Sequence, residues 1–144
     1  MTFLDAYGLV ALVVDGPAAD EVQALLRSGD ARVVAINLAE AVDVATRVHG
    51  ASGEALRSAI EPLLLSRSLV TAVSDEQQAW VAGDLRARHY DRRTQALSLA
   101  DCFLLAHALA DGAAIATADP AVANVARSEG VELVALPDSS GRRP

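Results

Sequence analysis

Hydrophobic positions along the chain alternate between two spacings. Five short apolar runs are typical of buried strands, and they cover residues 2–4, 32–36, 69–73, 113–116 and 131–135. Between these runs the apolar positions recur every three or four residues, which predicts helices. The predicted helices cover residues 6–14, 17–27, 37–48, 53–65, 74–89, 99–110 and 119–129.

The helix after the second strand has a specific predicted start. Asn37 stands where an N-cap is expected, and Glu40 follows three residues later, at the spacing of a capping box. This interpretation makes Asn37 the boundary between the strand and the helix.

The alternation of strands and helices predicts the fold class. Short apolar strands separated by helices of about ten residues form parallel sheets, because each connection must cross back over the sheet. We therefore expect an α/β fold, a three-layer sandwich with a central, mostly parallel sheet of four to five strands and helices on both faces. No repeat or long linker interrupts the pattern, so we expect one domain at residues 1–136 and a disordered C-terminal tail at 137–144.

Composition narrows the classes of function. Aspartate and glutamate number 19 against 12 basic residues, and the net charge of −7 argues against a surface that binds nucleic acid or anionic membrane throughout. All 12 basic residues are arginine. The single cysteine, Cys102, rules out an internal disulfide framework and a multi-cysteine zinc site. Without a signal-like start or an apolar run of about 18 residues, we expect a cytoplasmic protein with no membrane contact.

Four acidic residues follow strand ends or open helices, which is where ligands bind in an open parallel sheet. Asp5 follows the first strand, and Asp119 follows the fourth. Glu40 lies one turn into the helix after the second strand, and Asp101 lies in the first turn of a strongly apolar helix. The fold therefore predicts that all four carboxylates face the same edge of the sheet.

Each of these acids taken singly has a structural explanation, because acids commonly cap helices or offset the helix dipole. Together they point to chemistry. Four like charges at one edge, with no lysine to pair them, repel one another unless a divalent cation lies between them. Oxygen ligands alone favour Mg²⁺ or Mn²⁺ over zinc. Such an ion polarises a phosphoryl oxygen and activates an attacking water.

Other residues that could carry chemistry have simpler interpretations. Cys102 and Trp80 are expected core residues, and His107, within an apolar helix, is an expected buried structural histidine. Gly8 lies near a strand end but belongs to neither a P-loop nor a dinucleotide fingerprint. We therefore expect no nucleotide cofactor.

Basic residues cluster near the end of the fifth predicted helix. The cluster consists of Arg86, Arg88, Arg92 and Arg93, with Tyr90 among them. One interpretation is a solvated helix end whose arginines offset the C-terminal dipole. The other is an RNA-binding surface beside the acidic edge, where arginine binds phosphate and tyrosine stacks on an unpaired base.

The four acids stand within short motifs whose order is similar to that of a known family. The motifs are Phe3-Leu-Asp5-Ala, Asn37-Leu-Ala-Glu40, Leu97-Ser-Leu-Ala-Asp101-Cys and Ala116-Thr-Ala-Asp119. Over residues 1 to 136 the sequence resembles the PIN-domain family, and within it the VapC-type toxins of bacterial toxin–antitoxin pairs. The Ser-Leu-Ala-Asp segment with its apolar helix is the most specific part of this likeness.

The resemblance implies a PIN-like sandwich with a metal-dependent site. It implies that Asp5 and Asp101 are the principal Mg²⁺ ligands, and that Glu40 and Asp119 complete the metal-binding and catalytic cluster. Three further polar residues would orient the carboxylates or the scissile phosphate through hydrogen bonds. These three are Thr117, Asn37 and Ser98.

The activity that the resemblance implies is Mg²⁺-dependent endoribonuclease cleavage, with Mn²⁺ as a substitute ion. It also implies an RNA substrate, a homodimer and a small cognate antitoxin that blocks the pocket, whose acids suit an antitoxin arginine. One departure concerns the fourth motif. Many relatives carry an aromatic residue shortly after the acid, whereas Pro120, Ala121 and Val122 follow Asp119 here. The number of metal ions, one or two, stays open.

Other functions compete for the same fold. A receiver domain and a haloacid-dehalogenase-type phosphatase also place acids at strand ends, but both need a lysine, and this chain has none. Two alternatives stay open: a non-catalytic interaction module of the same fold, and an RNA-processing nuclease with no toxin role. The presence of all four acids favours a nuclease, and the small size without an added RNA-binding module favours the toxin.

Overall fold

Five strands and seven helices alternate along the chain. The strands are β1 (Thr2–Leu4), β2 (Ala31–Val34), β3 (Leu69–Ala72), β4 (Ala114–Thr117) and β5 (Leu133–Ala135). The helices are α1 (Ala6–Val14), α2 (Ala19–Arg27), α3 (Ala35–Arg47), α4 (Gly53–Leu65), α5 (Glu76–His89), α6 (Leu99–Asp111) and α7 (Pro120–Ser128). The computed structural model describes all 144 residues. Every predicted element is present, with ends that differ by a few residues.

The sheet is fully parallel, in the order β3-β2-β1-β4-β5. The central strand β1 pairs with β2 on one side, where Thr2 lies opposite Ala31, and with β4 on the other, where Thr2 lies opposite Ala114. The chain therefore builds outward in one direction from β1 to β3 and then returns to the other side of β1. The crevice beyond the carboxyl ends of β1 and β4 is the place where such sheets bind ligands.

Helices cover both faces of the sheet. On one face, Leu4 packs in a core with residues of α1 to α4, such as Leu9 and Leu56. On the other face, Phe3 packs in a second core with residues of α5 to α7, such as Leu105. Consecutive residues of β1 thus point to opposite faces, as the strand period of two requires. This arrangement confirms the predicted three-layer sandwich. None of the helices is long and apolar enough to cross a membrane.

The predicted cap at Asn37 is wrong. β2 ends at Val34, α3 begins at Ala35, and the Val34 cap position makes no side-chain hydrogen bond. Ile36, expected in the strand, is helical, and Asn37 is a fully buried residue of the first turn. The apolar run continues across the boundary without a glycine, proline or capping residue. The prediction from the apolar run therefore placed the end of the strand two residues too late.

The three residues that were predicted to be buried, Trp80, Cys102 and His107, differ in their exposure. Trp80 is 77% exposed, so its placement in the core is wrong: α5 buries Ala82 and Leu85 instead. Cys102 is fully buried, as predicted, and burial raises the pKa of its thiol to about 11. His107 is a buried structural histidine, also as predicted, with its Nε2 hydrogen-bonded to Oγ of Ser74 at 2.9 Å.

Residues 137–144 follow β5 and contact the domain at its surface. The Tyr7 hydroxyl donates to the carbonyl oxygen of Pro137 at 3.1 Å, and Arg143 forms an ion pair with Glu21 at 2.7 Å. The domain boundary at residue 136 and the disorder expected beyond it stay predictions.

Candidate active site at the carboxyl edge of the sheet

Asp5 is fixed at the carboxyl end of the central strand. Its backbone N–H donates to the carbonyl oxygen of Ala116 at 3.2 Å, which ties it to β4. The buried carboxylate accepts two hydrogen bonds, one at Oδ1 from the N–H of Gly8 (2.7 Å) and one at Oδ2 from the hydroxyl of Thr117 (2.5 Å). Asp5 therefore caps α1 and is also held from β4.

Thr117 connects two of the four acids. It is the last residue of β4, fully buried, and besides donating to Asp5 its hydroxyl accepts from the backbone N–H of Asp119 at 2.9 Å. Asp119 is exposed and caps α7, because its Oδ1 accepts from the N–H of Ala121 at 2.6 Å. The single hydroxyl of Thr117 thus fixes Asp5 relative to the loop that carries Asp119.

Asp101 and Ser98 form a reciprocal capping box at the start of α6. The Ser98 hydroxyl accepts from the N–H of Asp101 at 3.0 Å, and Oδ2 of Asp101 accepts from the N–H of Ser98 at 2.7 Å. The structural explanations are therefore correct for three of the acids: Asp5 and Asp119 are N-caps, and Asp101 is an acid in the first turn of its helix. These acids can both stabilise helix starts and lie at one edge of the sheet, because the three helices begin at that edge.

Glu40 and Asn37 lie one turn apart on α3, which packs against both α1 and α6. Glu40 is half-buried and its carboxylate makes no hydrogen bond or ion pair within the protein. Asn37 is fully buried, and neither Oδ1 nor Nδ2 of its amide has a hydrogen-bond partner. A buried, unpaired amide destabilises the folded state, so this position is not explained by packing alone.

Two of the four carboxyl groups, those of Asp5 and Asp101, have raised pKa values. Burial raises the pKa of Asp5 to about 6 and that of Asp101 to about 7, although their hydrogen bonds act in the opposite direction. The negative charges of Glu40 and Asp119 raise both values further. Capping by itself lowers a carboxyl pKa. The net rise therefore distinguishes these two acids from ordinary helix caps.

No basic side chain compensates this edge. The protein has five ion pairs, and none of them includes any of the four acids. As the side chains are placed, no three His, Cys, Asp or Glu residues lie close enough together to hold a metal ion. The four acids thus lie at one edge of the sheet, and the charges of Glu40 and Asp119 act on Asp5 and Asp101, but the side chains do not form a complete metal-binding site.

The predicted basic cluster divides into two groups. The guanidinium of Arg86 donates to the carbonyl oxygen of Leu97 and lies 4.3 Å from the centre of the Tyr90 ring. Arg88 forms an ion pair with Glu129 at 2.7 Å. No pattern in the sequence indicates this role for Glu129, which lies at the end of α7 and joins it to α5. Arg86 and Arg88 are therefore engaged in holding the fold.

Arg92 and Arg93 form the second group. Both are exposed in the loop between α5 and α6, and their side chains make no hydrogen bond or ion pair. The carboxylate of Asp91 shapes this loop by accepting from the N–H groups of Arg93 and Thr94, each at 2.8 Å. The loop leads to the Ser98 cap of α6, and these two arginine side chains have no partner within the protein.

The fold has counterparts among known proteins. A family model described as PIN domain matches residues 2–128. The chain is structurally similar to Mycobacterium tuberculosis VapC20, described as a sarcin-ricin loop cleaving toxin, with a TM-score of 0.67 and 18% identity over 86% of this chain and 94% of that one. No curated protein matches the sequence.

Two further solved structures are similar to this chain. VapBC2 from Rickettsia felis, bound to a promoter DNA fragment, has a TM-score of 0.66 and 18% identity over 92% of this chain and 96% of that one. FitAcB from Neisseria gonorrhoeae has a TM-score of 0.61 and 24% identity over the same shares, 92% and 96%. At these identities the likeness shows the shared fold.

Proposed function

Because the chain belongs to the PIN domain family, we propose that its carboxyl edge is the active site of a metal-dependent endoribonuclease. The observation that supports this proposal is the placement of four acids at the carboxyl edge of a parallel sheet, none of them in an ion pair, with the pKa values of Asp5 and Asp101 raised by burial and by the charges of Glu40 and Asp119. A buried carboxylate beside other negative charges destabilises the fold, and residues with such shifted pKa values are commonly functional.

The donor set fits Mg²⁺, with Mn²⁺ as a substitute. Every acidic group at the edge offers oxygen, which these hard cations prefer. Asp5 and Asp101 would hold the ion, and Glu40 and Asp119 would complete the set of ligands. Glu40 is half-buried and Asp119 is exposed, so both carboxylates are accessible to an ion at this edge. The unpaired buried amide of Asn37 adds a further polar group on the same helix as Glu40. When bound, the cation supplies Lewis-acid polarisation of a phosphoryl oxygen.

The protein's own residues prepare this site. Thr117 and the N–H of Gly8 keep the Asp5 carboxylate in one orientation, and Ser98 does the same for Asp101. Such supporting hydrogen bonds fix the direction in which a ligand oxygen points. Glu40 has no hydrogen-bond partner, so its carboxylate is free to accept a proton from the attacking water.

The proposed biological role is the toxin of a toxin–antitoxin pair, active as a homodimer and inhibited by a small cognate antitoxin. The similar structures include a toxin–antitoxin complex from Klebsiella pneumoniae and VapC20, described as a sarcin-ricin loop cleaving toxin, which supports this role. The uncompensated acids suit an antitoxin arginine that enters the pocket. Addition of the cognate antitoxin should therefore stop cleavage, and an RNA-processing nuclease would lack such an inhibitor.

The test is cleavage of total cellular RNA by the purified protein with Mg²⁺, with Mn²⁺ and with EDTA. The Asp101→Asn variant should be inactive, because it removes a proposed ligand at the start of α6. Asp111→Asn is the matched control, since it makes the same change at the other end of the same helix. Discrete metal-dependent fragments from the wild type and the control support the proposal. Absence of cleavage by folded protein in all conditions favours the non-catalytic interaction module.

A further inference from the structure

A cavity of about 230 Å³ lies beside the loop that carries Asp119. One wall is formed by the residues on either side of this acid, and the other wall by the segment that follows β5. The lining residues are Ala118, Pro120, Asp138, Arg142, Arg143 and Pro144. The cavity therefore adjoins the candidate active site and has two arginines in its wall.

The carboxylate of Asp138 builds the turn that positions these arginines. Its Oδ1 accepts from the N–H of Ser140 (2.8 Å), the hydroxyl of Ser140 (2.6 Å) and the N–H of Arg142 (2.9 Å). These bonds, that from the Ser140 side chain above all, lower the pKa of Asp138 to about 2. The N–H of Asp138 also donates to the carbonyl oxygen of Arg142 at 2.7 Å, which closes the turn.

Arg143 anchors the segment to the domain. Its guanidinium donates to both carboxylate oxygens of Glu21, at 3.0 and 2.7 Å, and to the carbonyl oxygen of Ala135. The bidentate geometry is the stronger form of an arginine–carboxylate pair. Because its donors are engaged on α2 and β5, Arg143 serves as an anchor and not as a ligand-binding group.

Arg142 is different, since most of its guanidinium has no partner. The side chain is 83% exposed, with Nε donating to the Ser140 hydroxyl at 2.9 Å and Nη2 lying 3.4 Å from Oδ2 of Asp138. An exposed pair at that separation contributes little. The turn thus holds a charged fork at the mouth of the cavity, with donors left for another acceptor.

We propose that Arg142 binds a backbone phosphate of the nucleic-acid substrate, next to the one that is cleaved. This inference rests on the proposed nuclease function. A chain with a net charge of −7 needs local cations to hold a polyanion against an acidic pocket. Arg142 provides one on the Asp119 side, and the guanidinium fork suits phosphate oxygens. The C-terminal segment 137–144 then forms part of the substrate-binding surface.

The test measures binding without cleavage, by fluorescence anisotropy of a labelled single-stranded RNA. All proteins carry Asp101→Asn, and EDTA is present, so that neither catalysis nor a metal ion enters the measurement. Arg142→Ala is compared with Arg142→Lys, which keeps the charge. Arg27→Ala is the matched control, because Arg27 is exposed at the end of α2, on the opposite edge of the sheet.

We expect Arg142→Ala to weaken RNA binding by about threefold to tenfold and to reduce the slope of log K against log salt by about 0.7, the value of one phosphate contact. Arg142→Lys should recover most of the affinity, and Arg27→Ala should match the parent protein. Equal affinities for Arg142→Ala and Arg27→Ala would overturn the inference while leaving the nuclease proposal intact. Failure of the parent protein to bind RNA in this assay would overturn the inference, whereas the nuclease proposal is decided separately by the cleavage assay with metal ions.

Discussion

Carboxylates on the outer surface and carboxylates at the carboxyl edge of the sheet differ in how they are compensated. Outside, Asp43 pairs with Arg47 at 2.6 Å and Glu129 pairs with Arg88 at 2.7 Å, and these arginines lower the pKa of both acids. At the edge, burial raises the pKa of Asp5 to about 6 and of Asp101 to about 7.

The difference lies in the partners and not in the residue type. The chain has twelve arginines and uses several of them to neutralise surface acids, yet no ion pair includes an acid of the edge. Burial of Asp5 and Asp101, together with the negative charges of Glu40 and Asp119, lowers the stability of the folded state when these two acids are ionised. The fold keeps this unfavourable arrangement at a single place, which is the place where a cationic ligand would relieve it.

The largest difference between the two groups of acids should be in their effect on the rate of RNA cleavage. We expect Asp5→Asn to lower the rate of RNA cleavage at least about 100-fold, because loss of a ligand exceeds the 10- to 100-fold effect of losing a group that only supports one. Steady-state cleavage of a labelled RNA measures the effect. Asp43→Asn, the same change on the outer surface, should keep the rate within about twofold. A variant of Asp5 with half of the wild-type activity would remove this residue from the site.

Stability should respond to pH with opposite signs in the two groups. A raised pKa means that the folded state binds more protons than the unfolded state, so the Asp101 contribution to stability falls as pH rises from about 4 to about 7. In EDTA, Asp101→Asn should therefore gain about 1–3 kcal/mol at pH 8 and nothing at pH 4. Urea unfolding across this range gives the values.

The surface acid Asp43 provides the reverse case. Its pKa is lowered by the hydrogen bond from Arg47, so its contribution is present at neutral pH and disappears on acidification. Asp43→Asn should then be slightly less stable than the wild type at pH 8 and equal to it at low pH. If Asp101→Asn behaved in the same way, the contrast between the two regions would be wrong.

Thr117→Val should give an intermediate effect on activity. Valine keeps the shape of the side chain but removes the hydroxyl that donates to Asp5 and accepts from the N–H of Asp119. We expect a 10- to 100-fold loss of cleavage, on the order of that seen when a group supporting a metal ligand is removed. Thr117→Ser restores the hydroxyl and should restore most of the activity. Equal rates for the two variants would show that the hydroxyl has no positioning role.

Replacement of the loop residues Arg92 and Arg93 should have the smallest effect on function. Replacement of both Arg92 and Arg93 by alanine should weaken RNA binding several-fold, uniformly across sequences, and reduce its salt dependence. Arg88→Ala should instead lower thermal stability, because it leaves Glu129 without its arginine. Binding isotherms at several salt concentrations measure the first effect, and thermal unfolding measures the second. An unchanged salt slope in the double variant would mean that this loop is only a solvated helix end.

Local spacing was sufficient to predict the architecture and the common edge of the four acids. Short β-branched runs and helical periodicity are written directly in the sequence, and parallel strands necessarily end at one edge. The position of Asp5 after β1 therefore followed from the pattern alone. The strand–helix boundary between Val34 and Ala35 did not, because no residue in the sequence marks it.

Features that depend on tertiary packing were not predictable in the same way. The exposure of Trp80 reflects which side of α5 faces the sheet, and the apolar side chain itself gives no sign of it. The hydrogen bond from Thr117 to Asp5 joins elements far apart in the chain, and the unpaired amide of Asn37 follows from its burial in the folded protein. The pKa values of Asp5 and Asp101 depend on burial, which sequence spacing does not measure.

The most direct test of the central claim is a calorimetric titration of Mn²⁺ into the wild-type protein and into Asp5→Asn, between pH 6 and 7.5. The account predicts binding by the wild type with release of protons near pH 6 to 7, and affinity at least about tenfold weaker in the variant. Binding of equal strength by both proteins, or none by the folded wild type at millimolar Mn²⁺, would contradict it.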